Sequence, residues 1–117
     1  MGLKKEEKDT VIITVDTEED LHITITIGNA QIGAGVVFFE SNQIAKGDIQ
    51  NLYLGKGKSL HGKKCKVVTN VLDANPATNA VVIVHDFDNG VPSSHTYKGK
   101  LDNEGDIYSL VTTYKFV

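Results

Sequence analysis

Leu21-His22-Ile23-Thr24-Ile25-Thr26-Ile27 decides the fold class. Apolar side chains occupy every second position, and His22, Thr24 and Thr26 fall between them. A period of two with β-branched residues marks a strand, one face packed on a core and the other polar. The same period runs upstream, where Val11, Ile13 and Val15 alternate with Thr10, Ile12, Thr14 and Asp16. Cross-strand partners share a face, so the two apolar sets predict a hairpin. In it Val15 lies opposite Leu21, Ile13 opposite Ile23 and Val11 opposite Ile25, with Asp16-Thr17-Glu18-Glu19-Asp20 at the turn.

Downstream the pattern recurs at short spacing. Gly28 to Gly35 reads as a flexible connection, and Val36-Val37-Phe38-Phe39-Glu40 as a short strand covered on both faces. Asn42 to Gly47 reads as a turn, Ile49 to Leu54 as a strand and Gly55 to Gly62 as a loop. Lys63 to Asp73 is a longer strand with Cys65, Val67, Thr69 and Val71 on one side. Pro76, barred from a central ladder, marks the turn that follows. Asn79 to Phe87 reads as a buried strand, because Val81-Val82-Ile83-Val84 leaves neither face polar.

The last hairpin is expected between His95–Leu101 and Ile107–Val117, with Leu101 facing Tyr108, Gly99 facing Leu110 and His95 facing Tyr114. A slip of one residue would put Lys98 beside Leu110 and Lys100 beside Tyr108, mixing the faces. The sum is an all-β, antiparallel sandwich or jelly roll of about eight strands. It occupies residues 10–117 as one domain behind a charged, flexible lead-in at 1–9. No internal repeat, low-complexity tract or linker interrupts it.

Composition narrows the function classes. All 12 basic residues are lysine, against 15 Asp and Glu, giving a net charge of −3. Without arginine the chain lacks the planar fork that reads guanine edges and clamps phosphate, so nucleic acid is not an expected partner. Cys65 is the single cysteine, which excludes an intrachain disulfide. No apolar run follows the lysines near the start, and none is long enough to span a bilayer, so membrane insertion is not expected. These features favour a cytoplasmic location, with export after signal removal as the alternative.

Few motifs carry chemistry. Gly57-Lys58-Ser59-Leu60-His61-Gly62-Lys63-Lys64 approaches a phosphate-binding loop, but Lys64 stands where a magnesium-holding hydroxyl belongs, and a strand follows instead of a helix. Lysines 56, 58, 63, 64 and 66 cluster on what reads as a solvated loop. Cys65 shares its parity with Val67 and Val71, which points to a buried, inert thiol. Ser93-Ser94-His95 lacks the elbow of a serine nucleophile.

His85-Asp86-Phe87-Asp88-Asn89-Gly90, with His95 beyond, is the one loop with convergent donors. Asp86, Asp88, Asn89 and His95 are therefore the candidate binding residues. Asn89-Gly90 also suits a turn with positive φ, and His85 shares the inward parity of Ile83 and Phe87. No cofactor or metal is assigned; calcium is the ion such oxygen donors could hold. No catalytic residue is assigned either.

The final strand adds one more feature. Ile107, Val111 and Val117 make its odd face apolar: if the strand is an edge it could accept a strand from another chain, and the alternative is a central strand covered on both faces by its own domain. The functional expectation is a non-enzymatic binding or structural module that works through protein contacts or self-association. A carbohydrate- or calcium-binding module is the alternative, with tyrosines 53, 97, 108 and 114 available for stacking. A small hydrolase-type enzyme with a His/carboxylate site comes third.

Overall fold

The computed structural model describes residues 2–117. Eleven strands form two packed sheets: β1 (Leu3–Glu7), β2 (Val11–Val15), β3 (Asp20–Ile27), β4 (Ile32–Phe39), β5 (Asn42–Gly47), β6 (Leu52–Lys56), β7 (Lys64–Leu72), β8 (Ala80–Asp88), β9 (Gly90–Val91), β10 (Ser94–Lys100) and β11 (Ile107–Phe116). A single helical turn, α1 (Gly57–Leu60), interrupts them. The first sheet has seven strands in the order β5-β4-β7-β11-β2-β9, with β1 also on β11; the second runs β10-β8-β3-β6. This is an all-β sandwich. Among the described residues no helix is long and apolar enough to cross a membrane.

The core lies where the alternating apolar positions meet. Ile13, Leu21, Ile23, Val67, Ile83 and Leu110 are all buried. Aromatic rings fill the middle, with Phe87 edge-on to Tyr114 at 4.6 Å between centroids and to Phe116 at 6.0 Å. Cys65, Val67, Thr69 and Val71 of β7 all point inward, as the period requires.

Both expected hairpins are absent. β2 belongs to the seven-stranded sheet, paired with β11 and β9, whereas β3 pairs with β6 and β8. Likewise β10 pairs with β8, placing His95 opposite His85, while β11 pairs with β7. The residues matched by parity do share the core, but across the sandwich. Tyr97 and Tyr114 meet hydroxyl to hydroxyl at 2.9 Å, and the His95 ring lies 5.3 Å from that of Tyr114. Facing apolar sets are required of two strands in one sheet and of two strands across a core alike. Parity cannot tell these apart.

Four smaller corrections follow. Residues 3–7, expected within an unstructured lead-in, form β1 and run parallel to β11, as β2 does. The connection expected at 28–35 ends early, because β4 starts at Ile32. Asn42–Gly47 is strand β5; the reversal sits at Glu40-Ser41, both with positive φ (59° and 144°) although neither is glycine. Within the loop expected at 55–62, α1 closes a turn. Gly57 donates its N–H to Glu19 O, and any Cβ there would lie 1.8 Å from Asp16 O.

Candidate functional site

Two outer faces remain once the core is assigned, and they differ in chemistry. On the four-stranded sheet, the outward residues of β3 and β8 come side by side: Thr24 opposite Asp86, and His22 opposite Asp88. With Asn51 and Ser93 they line a shallow groove of about 360 Å³. Asp88 holds His22 at two points. Its Oδ2 lies 2.9 Å from His22 Nδ1, and its Oδ1 accepts the His22 backbone N–H. Both side chains are open to solvent, so the pair contributes only about 0–1 kcal/mol to stability. Asn51 adopts positive φ (47°), and its N–H donates to Thr24 Oγ1 at 3.0 Å. Tyr53, 54% exposed, sets its ring 5.4 Å from that of His22.

Of the four candidate binding residues, this groove unites Asp86 and Asp88 only. Asn89 serves the turn: its φ is 61°, and its Nδ2 donates to Asp20 O at 2.8 Å. His95 sits on the inward parity of β10, edge-on to Phe87, with Nε2 donating to Pro92 O at 2.9 Å. His22, Thr24 and Asn51 were missed as binding residues, whereas Tyr53 was among the tyrosines offered for stacking. The outward parity of the first two was legible, but their pairing with β8 was not. Among the described residues no group of three or more His, Cys, Asp and Glu is placed to hold a metal ion.

The outer face of the seven-stranded sheet is apolar at one end and basic at the other. Ladder registers align Ile32 with Leu72, Leu72 with Ile107, and Ile107 with Leu3, one row across four strands. Leu3 is 69% exposed, Ile32 63% and Leu72 36%. Four residues along, Val36, Val68 and Val111 form a second row that ends on Glu7. At the basic end Lys64, Lys66, Phe38, Glu40 and Thr113 line a groove of about 410 Å³. Lys66 Nζ stands 5.9 Å above the Phe38 ring, within cation–π range.

These registers correct the edge reading of Ile107, Val111 and Val117. β11 is interior, with β7 on one side and β1 and β2 on the other. Val111 is buried, and Val117 lies beyond the strand, its N–H donating to Ile13 O and its C=O accepting from Val15. Ile107 belongs to the exposed apolar row.

The remaining chemistry is buried. His85 Nε2 lies 2.9 Å from Thr69 Oγ1 and Nδ1 lies 2.7 Å from Tyr114 Oη, in a fully enclosed site. Burial, with His95 nearby, pushes the His85 pKa down to about 3, so the ring is neutral. Burial also raises the Tyr114 hydroxyl and pushes the Cys65 thiol up to about 12. A protonated thiol with no access to solvent is a poor nucleophile.

No known protein family, curated protein or solved structure matches this chain.

Proposed function

We propose that this protein is an interaction module that lays the outer face of its seven-stranded sheet against another protein. The observation that carries this reading is the row Leu3-Ile107-Leu72-Ile32, four large aliphatic side chains in register on one face. Single exposed apolar residues are ordinary; a contiguous apolar patch marks a contact surface. At ~25 cal/mol per Å² of apolar area removed from water, full cover of Leu3 and Ile32 would gain on the order of 1–2 kcal/mol each. The polar opposite face offers no comparable gain. Carbene footprinting in extract of the source cells, compared with purified protein, tests the reading. Leu3, Ile32 and Leu72 should be protected in extract, while Tyr53 on the other face stays labelled. Equal labelling of the row in both samples refutes it.

A second reading is favoured by one observation. Tyr53 stands exposed beside a groove that carries two carboxylates, two hydroxyls, an amide and an imidazole. An aromatic platform next to planar hydrogen-bonding groups suits a saccharide. Binding of neutral sugars, lost in Tyr53→Ala and unaffected by Ile32→Lys, would select it over the first. A His/carboxylate enzyme would have to use His22 and Asp88, whose imidazole and carboxylate are already held together.

A further inference from the structure

β1 lies on one side of β11 only, and its other side meets no strand among the described residues. The ladder shows which of its backbone groups are free. Ile107 N–H donates to Gly2 O at 2.8 Å, and Lys8 N–H donates to Val111 O at 2.9 Å. Bonding residues alternate along a strand, so Gly2, Lys4, Glu6 and Lys8 face β11. Leu3, Lys5 and Glu7 therefore turn their N–H and C=O groups outward. That free edge carries Lys4-Lys5-Glu6-Glu7, two cations followed by two carboxylates. Read in the opposite direction, the signs are exchanged.

We propose that β1 pairs antiparallel with β1 of a second copy, about a two-fold axis that passes through Lys5 normal to the sheet. This register overlaps Leu3–Glu7 fully. It sets Lys4 opposite Glu6 of the second copy, and Leu3 opposite Glu7, twice each by symmetry. The hydrogen-bonded positions are then Leu3, Lys5 and Glu7, the residues whose backbone groups are unused. A slip of one residue would bring together groups already committed to β11 and reverse the faces. Lys5 meets its own counterpart, with Glu7 of the second copy diagonal to it on the same face, within reach of a long side chain. Natural sheet edges are commonly kept apart by charge, lysine above all. Here the charge is mixed in sign, and in this register the two Lys4–Glu6 pairs attract while the single Lys5 pair repels, a balance that still favours a second copy.

The pairing also acts on the contact face, and in this it rests on the reading above. A two-fold axis normal to the sheet keeps both outer faces on one side. The row Val36-Val68-Val111-Glu7 of one copy then runs on into Leu3-Ile107-Leu72-Ile32 of the other. Two short apolar rows become two long ones, and the partner surface doubles.

Sedimentation velocity up to millimolar protein, at low and high salt, tests the pairing. The native chain should show a reversible dimer that weakens as salt rises. Glu6→Lys/Glu7→Lys and Lys4→Glu/Lys5→Glu should each weaken it at least tenfold. An equimolar mixture of these two variants should restore a dimer tighter than the native one, because every opposed pair is then unlike. Lys5→Pro removes an N–H that β11 does not use, and it should abolish the dimer with the fold intact. β1 buries little side chain, so the charge variants should melt with the native protein. Ile32→Lys/Leu72→Lys should leave the dimer unchanged while erasing the footprint on the face, which separates the two claims. A monomer at millimolar concentration, or a dimer indifferent to these charges, overturns the proposal.

Discussion

His85 makes the stability of this domain depend on pH in a window that the structure defines. The ring is fully enclosed between Thr69 and Tyr114, and its pKa falls from 6.5 to about 3, chiefly through burial and secondly through His95. The unfolded chain takes a proton near pH 6.5, whereas the folded chain resists until near pH 3. Between those values the unfolded state binds more protons, so stability falls as pH falls; above 6.5 and below 3 this contribution is flat. At pH 4.5, two units below the unfolded value, the loss is ~2.7 kcal/mol at 1.36 kcal/mol per unit. Against a total of about 5–15 kcal/mol for a domain, that is a large share.

Urea denaturation at pH 7.5 and 4.5 measures it, with His85→Asn as the control. Asn keeps a donor and an acceptor but cannot titrate. Lost ring contacts will lower the variant's stability at both pH values, and the difference between the two isolates the imidazole. The native protein should lose about 2–3 kcal/mol more than the variant on acidification. Imidazole nitrogen shifts give a direct check, since the His85 ring should stay neutral in the folded protein at pH 4.5. A ring that protonates near pH 6.5 in the folded state, or equal losses in the two proteins, would refute the argument.

Gly57→Ala should cost at least about 1–3 kcal/mol, because its Cβ would enter the Asp16 carbonyl and backbone must move; thermal melting measures it. Cys65 should resist a thiol reagent at pH 8 in the folded protein and react once urea unfolds it, given a buried thiol pushed up to about 12. Gln31→Leu should destabilise by about 2–4 kcal/mol in urea titration. It strips partners from the Ala74 and Asn75 N–H groups, bonded at 2.7 and 2.8 Å, and from the buried Asp73 carboxylate, which already has one oxygen unpaired.

Alternation along the chain told which side chains look inward, and it did so reliably for β2, β3, β7 and β8. Ile13, Ile23, Val67 and Ile83 are all buried. Pairing was another matter, because hydrogen bonding between strands involves backbone groups that every sequence shares. Thus His95 was correctly brought near Tyr114, yet as a neighbour through the core instead of along a ladder. Turn chemistry misled at Asn42–Gly47, where asparagine and glycine sit within a strand and the reversal uses Glu40 and Ser41. For the groove, Asp86 and Asp88 were legible from their spacing on β8. His22 needed the β3–β8 register, and Asn51 needed a backbone bond to Thr24 that has no sequence signal.

Ile107, Val111 and Val117 show how a strand's edge differs from its face. An apolar outward face on β11 suggested an edge, but an edge is defined by unused N–H and C=O groups, and a face by side chains. β11 has partners on both sides, so its backbone is satisfied, while Ile107 still joins an exposed apolar row. Beside β11 the unused backbone groups are those of β1, whose side chains are almost all charged. Edge and face therefore fall on different groups here: the outward backbone and charges of β1 provide directionality and self-recognition, and the aliphatic side chains of β4, β7 and β11, with Leu3 of β1, provide apolar area. Lys4, Lys5, Glu6 and Glu7 set the pairing and Ile32 and Leu72 lie on other strands, so charge substitutions in β1 and substitutions at Ile32 and Leu72 should act independently on the dimerisation constant. A coupling between them beyond ~0.5 kcal/mol in a double-mutant cycle would mean that one surface, not two, mediates association.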